Sequence, residues 1–323
     1  MDIICFRPQK KANLNDTFIE WGLKVLLTEV LDGPVRFHNV FFEPLDSMEL
    51  PEHNLLVLCG TPWIWDQCTK SAKYGDLVKV LSLSDAPKIA AGIGTCFPLG
   101  FDCNTIEQAH TFMPGLENIF SAFSSITVRD KFAQKICELV KLRSNLLCCP
   151  AVFANEYLHP LTHKPDKDIL FFYAPQFGLS RSILSEDFTR HYIDLQVDYA
   201  TSNSAEVLCI NPHEAQAVEK MGLKPDLLTS PEQVGERLLA ARTLLSGRVH
   251  GCMFTAGLDI SAALLPVDTR YMTYRYCGGK IIMSDQVSKV GSDDLKRRCF
   301  NYRRAKKNWK KFLKSSLKKI GLC

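Results

Sequence analysis

Short apolar runs alternate with longer amphipathic segments over most of the chain. The runs at 2–6, 54–60 and 87–94 consist mainly of apolar residues, which is typical of strands buried on both faces of a parallel sheet. The segment 17–30 instead repeats apolar residues at helical spacing and predicts a helix. Because strand and helix alternate, this part predicts a doubly wound α/β unit, whose ligands bind at the carboxyl ends of the strands.

A third unit completes this first series, with a strand predicted at 125–128, a helix at 131–142 and a further strand at 146–153. The stretch 155–167 is rich in turn-forming residues and predicts a linker. A second alternating series then begins, with strands predicted at 168–174, 206–211, 241–245 and 262–267 and helices at 185–200, 212–221, 231–240 and 251–257.

Two such series predict two domains, because a chain of 323 residues exceeds the usual size of one domain. We assign residues 1–155 to an N-terminal domain and residues 156–295 to a C-terminal domain. The predicted fold class is therefore α/β, with two Rossmann-like domains that face each other across a cleft. A substrate is expected to bind between them.

The last segment, 296–323, is predicted to be a basic amphipathic helix. It holds twelve Lys and Arg residues and no acidic one, so the rest of the chain carries −8 within a total net charge of +4. Such a helix, with Trp309 and Phe312 at its apolar edge, suits an anionic membrane surface. The alternative is a terminal helix that docks on its own protein and leaves its basic side in solvent. Nucleic acid is not expected as a partner, because no known binding module accompanies the charge.

The composition excludes several classes of protein. A hydrophobic share of 46% is sufficient for two buried cores, and no apolar run approaches the roughly 20 residues that cross a bilayer. The apolar start is too short for a signal peptide, so the expected location is the cytoplasm, with peripheral attachment at the inner face of the membrane as an extension. The 13 cysteines include no pair of zinc-binding motifs, so neither a metal site nor a disulfide framework is expected.

Candidate chemistry is concentrated in the stretch Arg248-Val-His250-Gly251, where a strand is predicted to end and a helix to begin. The Arg248 guanidinium can hold a carboxylate or a phosphate through two parallel hydrogen bonds. His250 can donate or accept a proton near neutral pH. This pairing suits an anionic substrate, and the alternative is a surface arginine beside a core histidine.

Further candidates follow the strands of the N-terminal domain. Asn13 and Asp16 follow the first strand, where Asp16 also suits a helix cap. Gly92 and Gly94 end a later strand and permit close approach of a ligand to the backbone, but they do not form a dinucleotide-binding fingerprint. Arg129 ends the next strand, and the alternative there is an ion pair within the domain.

The order of these motifs is similar to that in the polysaccharide pyruvyl transferase family, whose members move the pyruvyl group of phosphoenolpyruvate onto a sugar as a ketal. The similarity extends over about residues 13–270 and so over both domains. The stretches that carry it are Asn13-x-x-Asp16, Leu58-Cys-Gly60, Gly92-Ile-Gly94, Thr127-Val-Arg-Asp130, Cys149-Pro150-Ala-Val-Phe153, Arg248-Val-His-Gly251 and Asp268-Thr-Arg270.

The resemblance implies a glycosyltransferase-B-like fold and a pyruvyl transferase of polysaccharide biosynthesis, with phosphoenolpyruvate as donor and no metal, nucleotide or other cofactor. The acceptor would be a saccharide that binds to the N-terminal domain, and the donor would bind to the C-terminal domain. The saccharide would be lipid-linked if the tail contacts a membrane. Arg248 and Arg129 correspond to groups that grip the donor. His250 corresponds to the family's histidine and would protonate the phosphate. Asp16 is a candidate base, and Arg270 would add positive potential or form a structural ion pair.

The sequence departs from the family at two loops. The family reads Gly-Asn-x-Gly-Asp where residues 12–16 read Ala-Asn-Leu-Asn-Asp, and the double glycine after a strand has become Gly60-Thr61. Changed acceptor specificity or lost activity would follow. Two alternative functions remain open, and the replaced glycines favour the second of them. One is a nucleotide-sugar-dependent glycosyltransferase of the same fold, in which arginine and histidine hold a diphosphate. The other is a non-catalytic carbohydrate-binding relative.

Overall fold

A computed structural model of the chain describes residues 1–7, 14, 16–41, 49–66, 68–101, 115–158, 165–177, 184–258, 260–283 and 300–322. Asn13 lies outside these residues, and so does the predicted start of the basic helix at 296–299. The predictions made for these positions stay predictions.

The first sheet is parallel throughout and belongs to the N-terminal part of the chain. Its strands are β1 Asp2–Arg7, β2 Arg36–Phe41, β3 Leu55–Cys59, β4 Pro62–Ile64, β5 Lys88–Thr95, β6 Ser125–Val128 and β7 Asn145–Leu146. Their order is β2-β1-β3-β5-β6-β7, with β4 paired to β5. The strand order reverses between β1 and β3, which makes the carboxyl ends of these two strands the expected ligand site of this sheet.

The second sheet is also parallel. Its strands are β8 Lys167–Phe171, β9 Glu206–Cys209, β10 Pro225–Leu227, β11 Ala241–Ser246, β12 Ser261–Leu264 and β13 Lys280–Ile281. They are ordered β10-β9-β8-β11-β12-β13, which is the strand order of a Rossmann fold. The order reverses between β8 and β11, so the loops that follow these strands meet at one crevice.

Helices connect these strands, as right-handed parallel connections require. In the described residues they are α1 Asp16–Val30, α2 Ala72–Ser82, α3 Leu116–Phe120, α4 Lys131–Leu139, α5 Glu186–Asn203, α6 Pro212–Lys220, α7 Pro231–Leu239, α8 Val249–Ala256, α9 Tyr271–Tyr276 and α10 Tyr302–Lys319. Local sequence explains several helix starts: the side chains of Asp130 and Ser230 accept hydrogen bonds from backbone N–H groups of the first turn, and Ser230 forms a capping box with Gln233.

The predicted fold class, two Rossmann-like α/β domains, is confirmed by these two sheets. Most predicted strands and helices agree with the structure to within a few residues. One element is wrong: the strand predicted at 146–153 ends at Leu146, and Pro150–Leu158 forms a 3₁₀ helix instead. Its apolar residues are buried because the helix packs against α1, so burial rather than strand pairing explains the apolar run. The predicted domain boundary at 155/156 falls within this helix.

The two domains share a continuous hydrophobic core. Helix α1 of the N-terminal domain contacts helix α8 of the C-terminal domain, and the rings of Phe18 and Phe254 lie 4.7 Å apart. A second connection joins the chain after β5 to the start of α9. There the backbone N–H groups of Phe97 and Thr269 each donate across the domains, to Thr269 Oγ1 and to the Phe97 carbonyl oxygen, both at 2.9 Å.

The basic helix α10 packs back on the N-terminal domain through its apolar face. Trp309, Leu313 and Leu317 are buried, and the Trp309 indole donates to the Cys148 carbonyl oxygen at 2.8 Å. Lys306 pairs with Glu29 and Glu156 at the edge of this contact. The expectation that Trp309 offers an apolar edge to a membrane is therefore wrong, because that edge is already covered by protein.

None of the helices in the described ranges is long and apolar enough to cross a membrane. Ten cysteines of these ranges are free thiols, and all ten are buried. They are mostly core residues, as expected for small apolar side chains.

Candidate functional site

A pocket lies where the carboxyl ends of the two sheets meet. It is lined by Asp16 and Thr61, which follow β1 and β3, and by Tyr173 and Arg248, which follow β8 and β11. His250 at the start of α8 also lines it. Both points of strand-order reversal thus open on the same pocket, which is the position where α/β folds bind their ligands. The predicted residues Asp16, Arg248 and His250 are brought together here from distant parts of the sequence.

The His250 ring is held on both sides. Nδ1 lies 3.2 Å from Asp16 Oδ1, and Nε2 lies 2.8 Å from Arg129 Nη1. A guanidinium can only donate, so Nε2 accepts and the ring carries its proton on Nδ1. The Nδ1–H group therefore donates a hydrogen bond to Asp16, and this hydrogen bond orients the ring. This arrangement fixes one tautomer of a buried histidine at the boundary between the domains.

Burial and neighbouring side chains have opposite effects on the pKa values of Asp16 and His250. For Asp16, burial acts to raise the pKa, but the hydrogen bond from His250 and its charge outweigh it and the pKa is lowered. For His250, burial acts to lower the pKa, but the side chains of Asp16 and Cys149 outweigh it and the pKa is raised. Asp16 is therefore a carboxylate at neutral pH, and His250 readily takes a second proton if Nε2 is released from Arg129.

Arg129 is fully buried and reaches the pocket through its contact with the lining residue His250, and its guanidinium is incompletely paired. Nη1 contacts His250 and lies 3.8 Å from the Cys149 sulfur. Nε and Nη2 have no hydrogen-bond acceptor among the residues that the structure describes. A buried cation with two unused donors is costly unless a ligand supplies the acceptors.

Gly94 makes room for this guanidinium. A Cβ atom at Gly94 would lie 2.4 Å from Arg129 Nε and 2.9 Å from Nη2, far inside van der Waals contact. Gly92, in the left-handed region at φ 76°, faces the Pro150 ring, with 3.0 Å between a Cβ atom at Gly92 and Pro150 Cδ. The close approaches at the two predicted ligand-binding glycines are thus made by Arg129 and Pro150.

Arg248 lines the pocket but is already paired. Its Nη2 lies 2.6 Å from both carboxylate oxygens of Glu214, and its Nε donates to the Phe172 carbonyl oxygen at 3.0 Å. Glu214 also accepts from the Ala174 N–H. The predicted donor-gripping arginine therefore has its charge balanced by a buried carboxylate, a partner 34 residues away that the sequence did not point to.

Arg270 is likewise paired. Its Nη2 lies 2.6 Å from Asp268 Oδ2, and its Nε lies 2.8 Å from Oδ1 of the same carboxylate. The Tyr173 hydroxyl lies 3.3 Å from Arg270 Nη2. Both residues of the ion pair line the pocket, so the structural ion pair considered for Arg270 is present at the edge of the candidate site.

Two further residues of the site carried no recognised signal in the sequence. Lys73 lies at the start of α2. In the sequence it is one of several polar residues of an amphipathic helix, and nothing distinguishes it. Cys149 belongs to the motif Cys149-Pro150-Ala-Val-Phe153 that carries the resemblance, but the sequence assigned it no role in the site. Burial acts to raise the pKa of the Cys149 thiol, yet the hydrogen bond with His250 and the charge of Arg129 outweigh it and the pKa is lowered.

No cluster of three or more His, Cys, Asp or Glu side chains suited to a metal ion occurs in the part of the chain that the structure describes. The groups gathered at the pocket are instead cations and hydrogen-bond donors with paired carboxylates. Such a set binds anions and moves protons.

Solved structures with the same fold cover almost the whole chain. A UDP-GlcNAc 2-epimerase from Methanocaldococcus jannaschii, in complex with UDP-GlcNAc and UDP, has a TM-score of 0.58 and 9% identity over 98% of this chain and 100% of its own. A UDP-GlcNAc 2-epimerase from Neisseria meningitidis, bound to UDP-GlcNAc, has a TM-score of 0.54 and 8% identity over 99% of this chain and 100% of its own. These likenesses show a glycosyltransferase-B fold.

Comparison with sequences gives the family. No curated protein sequence matches the chain. The family model of polysaccharide pyruvyl transferases matches residues 34–269, more than two thirds of the chain, and includes Arg129, Arg248 and His250. The family predicted from the order of motifs is confirmed, and the chain belongs to the polysaccharide pyruvyl transferase family.

Proposed function

We propose that this protein transfers the pyruvyl group of phosphoenolpyruvate onto two hydroxyl groups of one saccharide unit, as a ketal. The observation that carries this proposal is the buried Arg129 guanidinium, of which two nitrogen atoms have no acceptor in the described part of the chain and the third contacts His250. A phosphate or carboxylate supplies the acceptors that such a group lacks. Family membership supports the reaction class.

The donor phosphate fits between Arg129 and His250 in this proposal. While Arg129 donates to Nε2, the ring cannot hold a proton there. An anion that takes over the Arg129 donors releases Nε2, and the raised pKa of His250 then favours its protonation. Donor binding and protonation of His250 are thereby coupled, so that the acid is formed where the phosphate lies.

The reaction needs two protons, one for C3 and one for the departing phosphate, and the two acceptor hydroxyls supply them. Protonation of the methylene carbon C3 makes C2 of the donor electrophilic, and an acceptor hydroxyl adds to C2 with loss of its proton. The bond from C2 to the phosphate oxygen then breaks, and a second hydroxyl of the same saccharide closes the ketal with loss of a second proton. One of the two hydroxyl protons replaces the proton delivered to C3, and the other leaves with the phosphate.

His250 suits the transfer of a proton to the departing phosphate, because imidazolium is a general acid near neutral pH. Asp16, which we predicted to be the base, is committed to Nδ1 of His250 and has a lowered pKa. We therefore assign it to positioning the ring. Arg248, paired with Glu214, contributes donors in a fixed orientation at the pocket wall instead of a free positive charge.

Phosphate release from phosphoenolpyruvate in the presence of a panel of glycans tests this function. Arg129→Ala is expected to lower kcat/KM for the donor by roughly 10²–10³, as loss of a preorganised charged donor does. Arg248→Ala and His250→Ala are expected to lose turnover as well. The matched control is Arg242→Ala, which removes an exposed arginine paired with Asp168 at the amino end of β11 and should leave the rate unchanged.

Thermal shift separates the alternative functions. Stabilisation by phosphoenolpyruvate but not by nucleotide-sugars is expected. Stabilisation by nucleotide-sugars alone would make the protein a glycosyltransferase. Binding of glycans without phosphate release, by a chain that also fails to bind phosphoenolpyruvate, would make it a carbohydrate-binding relative.

We also propose that the solvent side of α10 contacts an anionic membrane surface, where a lipid-linked acceptor would be presented. Burial of the apolar face leaves a straight exposed stripe of basic side chains: Arg303, Lys307, Lys311, Lys314 and Lys318. Their spacing of three or four residues places them on one face of the helix. Each contributes at most about 1 kcal/mol near an anionic surface, so this contact is electrostatic and reversible.

Sedimentation with lipid vesicles tests the membrane contact. The wild type should bind vesicles of phosphatidylglycerol more tightly than vesicles of phosphatidylcholine alone, and replacement of Lys307, Lys311 and Lys314 by Gln should weaken that binding by up to about 100-fold. Replacement of the same three residues by Arg is the control and should retain it. Equal binding to both kinds of vesicle, or none to either, would overturn the proposal.

A further inference from the structure

Lys73 is held at the edge of the pocket by the first turn of α2. Its Nζ donates to the Pro62 carbonyl oxygen at 2.7 Å and lies 3.4 Å from Thr61 Oγ1. Thr61 and Pro62 both line the pocket, on the side that belongs to the first sheet. Nζ also lies 4.1 Å from the ring centroid of Trp63 and 5.0 Å from that of Trp65. The amine is therefore fixed over two indole rings, next to Thr61 and Pro62 of the pocket wall.

In the described part of the chain, the hydrogen-bond partners of this amine are uncharged. Within the described residues, no carboxylate oxygen lies within 4.0 Å of Nζ, and two neutral oxygens leave one of its three ammonium hydrogens without an acceptor. Aromatic faces stabilise a cation less than a carboxylate does when water is excluded. The environment of Lys73 is thus one that tolerates both the charged and the neutral amine.

The charged and titratable groups that act on Lys73 come from several elements. Burial has the largest effect; the charges of Asp16, Cys96 and Cys68 oppose it, and that of Arg129 adds to it. The result is a pKa of Lys73 of about 7. A considerable fraction of the amine is therefore neutral near pH 7, and a neutral amine accepts protons.

We propose that Lys73 is the catalytic base that takes the proton from the acceptor hydroxyl as this hydroxyl attacks C2 of the donor. The proposal rests on the pyruvyl transfer proposed above and fills a role that Asp16 leaves open, because Asp16 is engaged by His250. It also assigns the acceptor to the side of Thr61, Pro62 and Trp65, opposite the donor site at Arg129 and His250.

The proton balance of this step is simple. The acceptor O–H bond breaks, the O–C2 bond forms, and the proton becomes the third hydrogen on Nζ of Lys73. The ammonium formed gives this proton, through water, to the acid that protonated C3, so that this acid is restored. The neutral amine then takes the proton of the second hydroxyl when the ketal closes, and this proton replaces the one that His250 gives to the phosphate.

A substitution that keeps the positive charge tests this role. Lys73→Arg keeps a cation of similar length but cannot act as a base near neutral pH, since arginine stays protonated. It should lower kcat by about 10²–10⁴, as loss of a general base does, while KM for phosphoenolpyruvate stays unchanged. In the wild type, kcat/KM for the acceptor should rise with pH through about 7, and this rise should be absent in the variant. Lys70→Met, an exposed lysine on the preceding turn, is the matched control.

A second measurement does not depend on turnover. The Nζ-attached carbon of Lys73, labelled with ¹³C and assigned by its loss in Lys73→Arg, should titrate near pH 7 in the full-length protein. A midpoint near that of an exposed lysine would exclude the base role. Wild-type activity in Lys73→Arg with an unchanged pH profile would exclude it too, and would point to a binding cation.

Failure of this proposal is distinguishable from failure of the proposed function. If the wild type releases no phosphate with any acceptor and does not bind phosphoenolpyruvate, the proposed pyruvyl transfer is wrong, and so is the proposed role of Lys73. If the wild type is active and Lys73→Arg equals it, pyruvyl transfer stands and Lys73 alone is removed from the mechanism.

Discussion

At the scale of single residues, the cations of the cleft differ in what balances their charge. Arg248 and Arg270 each have a carboxylate at 2.6 Å, whereas Arg129 and Lys73 have neutral partners. A balanced cation orients a site, and an unbalanced one binds an anion or loses its proton. Residue type alone does not separate these roles, because all four side chains are basic and their partners are set by the fold.

The stability of the protein should depend on pH through Lys73. Its folded-state pKa of about 7 is below the ordinary value of 10.5, so the unfolded chain binds more protons between these values. Wild-type stability should therefore rise with pH in this window, by at most about 1.4 kcal/mol per pH unit from this residue.

Lys73→Met removes this contribution. The variant should be more stable than the wild type near pH 7, because a thioether side chain packs on Trp63 and Trp65 without a charge to desolvate, and the difference should shrink towards about pH 9. Urea unfolding of both proteins at the two pH values measures this difference in the free energy of unfolding. A constant difference would contradict the lowered pKa.

At the scale of elements, burial decides the role of the last helix. The amphipathic pattern of α10 predicts one apolar and one basic face, and both are present. Which surface covers the apolar face is not a local property. Trp309 is fully buried and hydrogen-bonded to Cys148, so the helix is part of the core of the N-terminal domain, and only its basic face remains for a partner.

Trp309→Ala should destabilise the protein by about 3–5 kcal/mol, since it leaves a large cavity and an unpaired carbonyl oxygen. Lys311→Ala, on the exposed side of the same helix, should change the free energy of unfolding by less than about 0.5 kcal/mol. Chemical denaturation measures both. Similar small effects in the two variants would mean that α10 is not packed as described.

At the scale of the whole molecule, the site depends on the contact between domains. Asp16 and Arg129 come from the first sheet's domain and His250 from the second, and they are within hydrogen-bonding distance only because the domains share a core. The Phe97–Thr269 hydrogen bonds fix the same contact from another side. The contact between the domains therefore forms both the shared core and the pocket.

The domains should consequently unfold together. Tryptophan fluorescence, which reports on Trp21, Trp63, Trp65 and Trp309 around the N-terminal domain, should give the same transition as far-ultraviolet circular dichroism. Thr269→Val leaves the Phe97 N–H without its acceptor and should lower stability by about 1–3 kcal/mol without separating the two curves. Two resolved transitions in the wild type would show that the shared core is too weak to couple the domains.

Much of the fold and part of the site were predictable from the sequence. Buried parallel strands are continuous apolar runs, so β1, β3, β5 and β8 are visible in the sequence. The run at 146–153 was misinterpreted because apolar residues buried by helix packing look like those of a buried strand. Asp16, Arg129 and His250 could be named from their positions at strand ends, whereas Lys73 and Glu214 lie in helices with no distinctive local pattern.

The sequence by itself determined the alternation of strands and helices, the division into two α/β units and the presence of basic and imidazole groups at strand ends. These follow from local periodicity and from which residues end a strand. Only the tertiary structure decided which of those groups are neutralised, which lack partners, and which surface covers the last helix. Such properties depend on side chains more than a hundred residues apart in sequence, as for Arg129 and His250, and their charge state is set by burial and by the neighbours that folding brings together.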